Sequence, residues 1–360
     1  VVGKKPGFFR KTWFLNSKRR KDVSDKVTVG LIGAGRIGRL HAEHLAFRIP
    51  EANLLAVSDI ISEAAQKCAT DFDIPTATQD HRVLMEDPDI EAIVVCSSTD
   101  THAQMIEEAA AAGKHIFCEK PIDFDLARID RALAAVEKAG VKLQVGFNRR
   151  FDPNFRRVRE LVAAGEIGEP HILRITSRDP APPPIEYIKV SGGIFLDMTI
   201  HDFDMARYLI GSEVEEIYAA GGVMVDPAIG EAGDIDTAVI TLRFENGVIG
   251  TIDNSRQAVY GYDQRVEVFG SGGMVTVSNN TPDTAVLGDA QGIHGPLPLF
   301  FFIERYVDSY VAEMKVFIEC IQQDKTPPVT GLDGRIPVVM GYAARKSYEE
   351  NRPVRLSEIA

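Results

Sequence analysis

The chain has 360 residues, 45% hydrophobic and 26% charged, with a formal net charge of −12. That length predicts about two domains, each with enough chain to bury its own core, and no apolar stretch approaches the length of a membrane span. The charge balance speaks against nucleic acid as a partner. The four cysteines, Cys68, Cys96, Cys118 and Cys320, show no metal-ligand spacing. They predict neither a metal site nor a disulfide framework, and they fit a reducing, cytoplasmic compartment.

Charge is unevenly placed. Residues 1–26 carry nine Lys/Arg against two Asp/Glu, a net of +7 that leaves the rest of the chain at −19. This segment has no apolar core of signal-peptide length. It is expected to be a disordered arm, a processed segment or residues upstream of the true start, and to stand outside the fold.

From Val27 to about Phe147 short apolar runs alternate with helical patterns. The strand candidates are 27–33, 53–59, 91–97, 115–120 and 142–147; helical patterns at 36–47 and 126–140 lie between them, the second stopping on Gly140. Continuous apolar strands alternating with helices predict a doubly wound parallel sheet covered on both faces. Beyond about residue 170 the strands alternate polar and apolar residues. Residues 238–256 read as a hairpin turning at Asn246-Gly247, and 265–278 as a second around "GSGG". Further strands at 171–178 and 214–225 join helices near 196–210, 306–323 and 335–350. The expected organisation is α/β, with a parallel-sheet domain over 27–148. A second α/β domain over 149–360 has an open, mainly antiparallel sheet, and its last helices pack back on the first.

"GLIGAGRIGRLHA" places Gly33, Gly35 and Gly38 in a G-x-G-x-x-G turn closing a strand and opening a helix. The first glycine permits the tight turn, the second lets backbone approach a pyrophosphate, and the third lets helix pack on strand. Arg36 and Ile37 lie in the turn, and the helix N-terminus attracts the phosphates. Asp59, about twenty residues on, suits the ribose hydroxyls. It would repel a 2′-phosphate, and no Arg follows it in "DIISEAA", so the pattern favours NAD over NADP. Ser98, Thr99 and His102, in "CSSTDTHAQ", fall at the carboxyl edge of the sheet, where ligands bind.

In "GGIFLDMTIHD" Asp197 and His201 interrupt an apolar run four residues apart. A continuous helix would present them on one face, one turn apart. Oxidising a secondary alcohol needs a base for the hydroxyl proton and an acceptor for the hydride. An imidazole titrating near working pH is a suitable base. Asp197 could orient that imidazole or bind a neighbouring hydroxyl. Lys120, at the end of the strand over 115–120, could stabilise a developing alkoxide.

The glycine turn, Glu119-Lys120-Pro121 and the Asp197-x-x-x-His201 pair together resemble the glucose–fructose oxidoreductase / inositol dehydrogenase / rhizopine catabolism family. The likeness covers the chain from Val27 onward. "VGFNRRFDPNF", "ITSRDPAPPP" and "SGGIFLDMTIHDFDMARYL" are most similar to its inositol-oxidising members. The resemblance implies a Rossmann domain that binds NAD, with Glu119 and Lys120 at its edge. It also implies oxidation of myo-inositol to the 2-ketone, and Lys120, Asp197 and His201 as catalytic residues. Arg149 or Arg150, Asp179, and Tyr260 or Tyr262 would complete a polyol pocket, and the assembly would be a homo-oligomer, a tetramer. The residues leave open another inositol isomer or an aldose as substrate, or an NAD-binding regulator without turnover.

Overall fold

The computed structural model describes residues 26–359; the expectation for the basic segment therefore lies outside the described residues except at Lys26. The first half runs β1 (Val27–Ile32), α1 (Arg36–Phe47), β2 (Ala52–Ser58), α2 (Ser62–Asp71), β3 (Thr76–Thr78), α3 (Arg82–Glu86), β4 (Ala92–Val95), α4 (Thr99–Ala111), β5 (His115–Cys118), α5 (Leu126–Ala139) and β6 (Leu143–Val145). Its six strands are parallel in the order β3-β2-β1-β4-β5-β6. The order reverses between β1 and β4, and in such sheets ligands bind in the crevice beyond the strands' carboxyl ends at that point.

The second half runs α6 (Pro153–Ala163), β7 (Pro170–Arg178), α7 (Ile185–Ile188), α8 (Ile194–Asp197), α9 (Ile200–Ile210), β8 (Val214–Gly222), α10 (Pro227–Glu231), β9 (Thr237–Phe244), β10 (Ile249–Ser255), β11 (Asp263–Gly270), β12 (Gly273–Val277), the small hairpin β13 (Leu287–Asp289) and β14 (Gly292–His294), α11 (Phe302–Arg305), α12 (Val307–Gln322), α13 (Gly331–Glu350) and β15 (Val354–Arg355). Seven strands form one sheet, β12-β11-β7-β10-β9-β8-β15, antiparallel except for the β7–β10 pair. Both hairpins form where the turn residues ask for them, Gly247 taking φ +87°.

Strand alternation decides which side of this sheet is dry. Leu173, Ile175, Ile240, Leu242, Ile252 and Val268 point inward and share a core with Val158 of α6, Phe203 and Leu209 of α9 and Met340 and Ala343 of α13. The Rossmann sheet is covered on one face by α4, α5 and Val338 of α13. On the other face Ala42 and Leu45 of α1 pack beside Met314, Phe317 and Ile318 of α12. The last two long helices thus belong to both sheets and tie the halves together.

One local expectation fails. Residues 194–210 are not one helix: α8 ends at Asp197 and α9 begins at Ile200. Thr199 is the cause. Its amide bonds back to the Ile194 carbonyl (2.9 Å), and its hydroxyl bonds to Asn254 of β10 (2.6 Å). A Thr side chain drawn to a partner outside the helix competes with the helical ladder.

Candidate functional site

The glycine turn is built by close contacts. Gly33 has φ +95°, and a Cβ there would sit 2.5 Å from the Cys96 backbone; one on Gly38 would sit 1.8 Å from the Gly33 carbonyl oxygen. Gly35 differs, since a Cβ there would meet nothing within 4 Å. No side chain caps α1 at Gly35, so the amides opening the helix stay available. Asp59 clasps the turn from the end of β2: one carboxylate oxygen accepts from the Ala34 amide (2.7 Å), the other from Ile61 (2.8 Å). Open space over Gly35, uncapped helix amides and a carboxylate at the second strand fit a dinucleotide with free ribose hydroxyls.

The remaining residues expected to hold cofactor are dispersed around this turn. Arg36 is exposed, its guanidinium 5.7 Å from the Phe301 ring, while Ile37 is half-buried. Ser98 stands at the N-cap of α4 and Thr99 opens that helix. His102 is buried, its ring nitrogens facing the carbonyls of Pro121 (2.8 Å) and Ser97 (2.9 Å), where it braces the loop after β5. Glu119 is half-buried and turned toward His41 (2.8 Å).

Lys120 leaves the end of β5 and donates to the main-chain carbonyl of Asp197 (3.1 Å). This bond joins the edge of the parallel sheet to the break between α8 and α9. The break is positioned from upstream by Gly192 and Gly193, at φ +85° and +82°. Phe124 and Asp234 press so closely that a Cβ would lie 2.7 and 2.9 Å from them, respectively. Asp234 caps α8 through the Ile194 amide (3.0 Å).

The Asp197 carboxylate does not turn to His201. One oxygen accepts from the Tyr187 hydroxyl (2.8 Å), the other from Arg256 (3.1 Å), whose guanidinium also reaches Asp234 (3.4 Å). His201 meets Phe147 edge-on, centroids 6.0 Å apart, and its buried Nδ1 has no partner among the described residues. Burial, then the neighbouring charges of Lys120 and Arg149, push its pKa well below the ordinary value. The expectation that this imidazole titrates near working pH is therefore corrected, because the ring is already neutral there. Burial also lowers the pKa of the Lys120 ammonium, against the raising influence of Asp197 and Glu119.

The two arginines of "FNRRF" part company. Arg149 is buried, bonds to Asp202 (2.6 Å) and the Tyr262 hydroxyl (3.4 Å), and its charge is felt by His201 and Asp179. Arg150 points away into an ion network with Asp204 (2.6 Å) and Asp333 (2.9 Å). The tyrosines divide likewise. Tyr262 is buried beside Arg149, while Tyr260 bonds to Asp263 (2.6 Å) and Arg178 (3.1 Å) on the sheet. Asp179 stands at the end of β7. Burial and the charge of Asp197 push its carboxyl up to about 7. Lys120, Arg149, Asp179, Asp197, His201 and Tyr262 are thus gathered; Arg150 and Tyr260 are not. The sequence reading missed Arg256, Tyr187 and Asp234, the partners of Asp197 and its helix. Arg256 follows the alternating strand β10 in a plain polar run, and no spacing announces its role.

A dinucleotide cradle opposite a cluster of imidazole, ammonium and carboxyl groups defines a nicotinamide-dependent oxidoreductase. The comparisons agree. An oxidoreductase-family model with an NAD-binding Rossmann fold matches residues 27–147, and the GFO/IDH/MocA C-terminal domain matches residues 155–276. The chain belongs to the Gfo/Idh/MocA family. It is 54% identical to the myo-inositol 2-dehydrogenase of Thermotoga maritima over 92% of this chain and 99% of that one. It is 44% identical to the inositol 2-dehydrogenase of Rhizobium meliloti, with the same coverage of each chain. Among solved structures, a probable dehydrogenase from Thermotoga maritima is 53% identical with TM-score 0.91, over 92% of this chain and all of that one. The myo-inositol dehydrogenase of Lactobacillus casei in complex with NAD(H) and myo-inositol is 27% identical with TM-score 0.83, over 92% and 96%.

Proposed function

We propose that this chain oxidises the 2-hydroxyl of myo-inositol to the ketone with NAD, and that Lys120, Asp197 and His201 carry the reaction. NAD, when bound, supplies the acceptor for the hydride that leaves the carbinol carbon. His201 takes the hydroxyl proton; its ring is neutral, as a base must be. Lys120 offers an ammonium to the oxygen as negative charge develops on it. Asp197, fixed by Tyr187 and Arg256, accepts from a neighbouring ring hydroxyl rather than steering the imidazole. Arg149, Asp179 and Tyr262 supply further donors and acceptors for a ring that carries a hydroxyl on every carbon.

The observation that carries this reading is the bond from Lys120 to the Asp197 carbonyl, which ties the edge of the NAD-binding sheet to the break between α8 and the helix bearing His201. Identity above half to a myo-inositol 2-dehydrogenase over nearly the whole chain supports the choice of substrate. The test follows NADH absorbance across a panel of inositols and aldoses, with NAD and NADP. The highest kcat/KM is expected for myo-inositol with NAD. A preference for an aldose, for another inositol isomer or for NADP would overturn the corresponding part.

The proposal extends to assembly and place. The outer face of the seven-stranded sheet presents exposed apolar residues, and its cover would be a second copy, in a homotetramer. No helix among the described residues is long and apolar enough to cross a membrane. Free cysteines, three buried and one half-buried, support a reducing cytoplasm.

A further inference from the structure

Beneath the Glu119-Lys120-Pro121 turn lies a cluster that the reaction does not use. His41 of α1, Glu119 at the end of β5 and Glu313 of α12 each bring one polar atom within 4.8 Å of the others. His41 and Glu313 are fully buried. The His41 ring stands edge-on to Phe117 and Tyr310, with centroids 5.1 and 5.8 Å away. Its Nε2 lies 2.8 Å from one Glu119 oxygen, while the other Glu119 oxygen faces the Lys120 amide at 3.3 Å. Behind Glu119 there is no slack, since a Cβ on Gly146 would lie 3.0 Å from its carboxyl carbon. Both Glu313 oxygens are buried without a partner among the described residues.

A buried carboxylate with neither oxygen satisfied is costly, and such a group takes up a proton instead. Burial and the Glu119 charge act in that direction on Glu313. Once neutral it has one donor, and the Glu119 carboxylate is the acceptor at hand. Glu119 would then be held by three hydrogen bonds, from an imidazole, a carboxylic acid and the amide of the residue that follows it.

We propose that His41 and Glu313 are positioning residues for Lys120: both donate to the Glu119 carboxylate, and that fixed carboxylate sets the peptide from which Lys120 reaches the reacting oxygen. This rests on the role given to Lys120 under Proposed function. A divalent cation could use the same three groups, but it would need Glu313 ionised, whereas positioning needs it neutral.

The test pairs variants that keep the donor with variants that lose it. His41→Gln and Glu313→Gln keep an N–H; His41→Phe and Glu313→Leu remove it. Four quantities are compared: kcat, NADH affinity, Tm, and the rate at which acetic anhydride acylates Lys120 in the cofactor-free protein, read by peptide mass spectrometry against a surface lysine. The donor-less variants should lose about ten- to hundredfold in kcat, as small misplacements do. They should also change Lys120 acylation several-fold, with NADH affinity held. The Gln variants should stay near wild type. Unchanged kcat and acylation in folded His41→Phe and Glu313→Leu would overturn the proposal. So would a folded Glu313→Gln as impaired as Glu313→Leu, or a stoichiometric divalent ion in the wild type that Glu313→Gln loses. Should the wild type make no NADH from any inositol, the functional reading fails, while acylation still judges the positioning.

Discussion

His201 and Asp179 show how burial sets the protonation of a site. The His201 imidazole, between two cations, is kept neutral, while the Asp179 carboxyl, facing Asp197, holds its proton up to about 7. His201→Ala should lower turnover by about 10²–10⁴-fold, the usual loss of a general base, with NAD affinity nearly unchanged. Because the ring stays neutral well below 6.5, turnover should show no acid limb near that pH from His201; a limb there that vanishes in His201→Gln would contradict the assignment. Asp179 makes a separate prediction about stability. Its folded pKa exceeds the unfolded value of about 3.9, so folded protein binds the proton more tightly. The stability Asp179 contributes is full below about pH 4 and is lost as pH rises through 7. Asp179→Asn has no such proton. Its Tm should match wild type near pH 4, pull ahead between pH 4 and 7, and keep a constant lead above that. Discounted for partial exposure to about 1 kcal/mol, the lead is about 1–2 °C for a chain of this length. Scanning calorimetry across that range reads it, and a lead that shrinks with rising pH would reverse the sign of the argument.

At the scale of elements, the glycine turn separates folding from binding. Gly38→Ala places a methyl against the Gly33 carbonyl and should lower Tm, because helix and strand must part. Gly35→Ala meets only open space and should leave Tm unchanged while weakening NAD binding at least tenfold, read by fluorescence titration of NADH. Equal behaviour of the two variants would contradict the cradle. This turn was legible in the sequence because a strand, three glycines and an amphipathic helix are local signals. So were the parallel strands and the Asn246-Gly247 hairpin. What the sequence hid is long-range. Asp197 and His201 look like neighbours on one helix, and only Asn254, 55 residues beyond Thr199, breaks it. The partners of Asp197 come from α7 and from beyond β10, and no spacing links them. Arg149 and Arg150 are adjacent, so composition could not say which one faces Lys120's side of the molecule and which the network of Asp204 and Asp333. The strand β3, at three residues, is too short to carry a period.

Across the whole molecule, helices cover both faces of the parallel sheet but only one face of the other. Along its uncovered side Ile249 pairs with Ile172, Ile172 with Phe269 and Phe269 with Met274, a row crossing four strands. These side chains are 54%, 36%, 44% and 56% exposed. Single exposed apolar residues need no explanation, but a contiguous row on an uncovered sheet face is what an interface between copies would bury. The flanking row on β10, β7, β11 and β12 is Thr251, Arg174, Glu267 and Thr276, a polar rim of the kind such interfaces carry. Replacing Ile172 and Phe269 together by lysine places like charges where two copies would meet, at positions already exposed in one chain. Light scattering should then report a smaller assembly than wild type, and Tm, which should rise with protein concentration in the wild type, should lose that dependence. The fold of each protomer should survive, since both side chains point away from the core formed by Leu173, Ile175 and Val268. NAD binding should survive too, because the glycine turn and Asp59 lie on the other sheet. A wild-type protein that scatters as a monomer at micromolar concentration would refute the assembly, and a double-lysine variant that keeps its mass would move the interface to another surface.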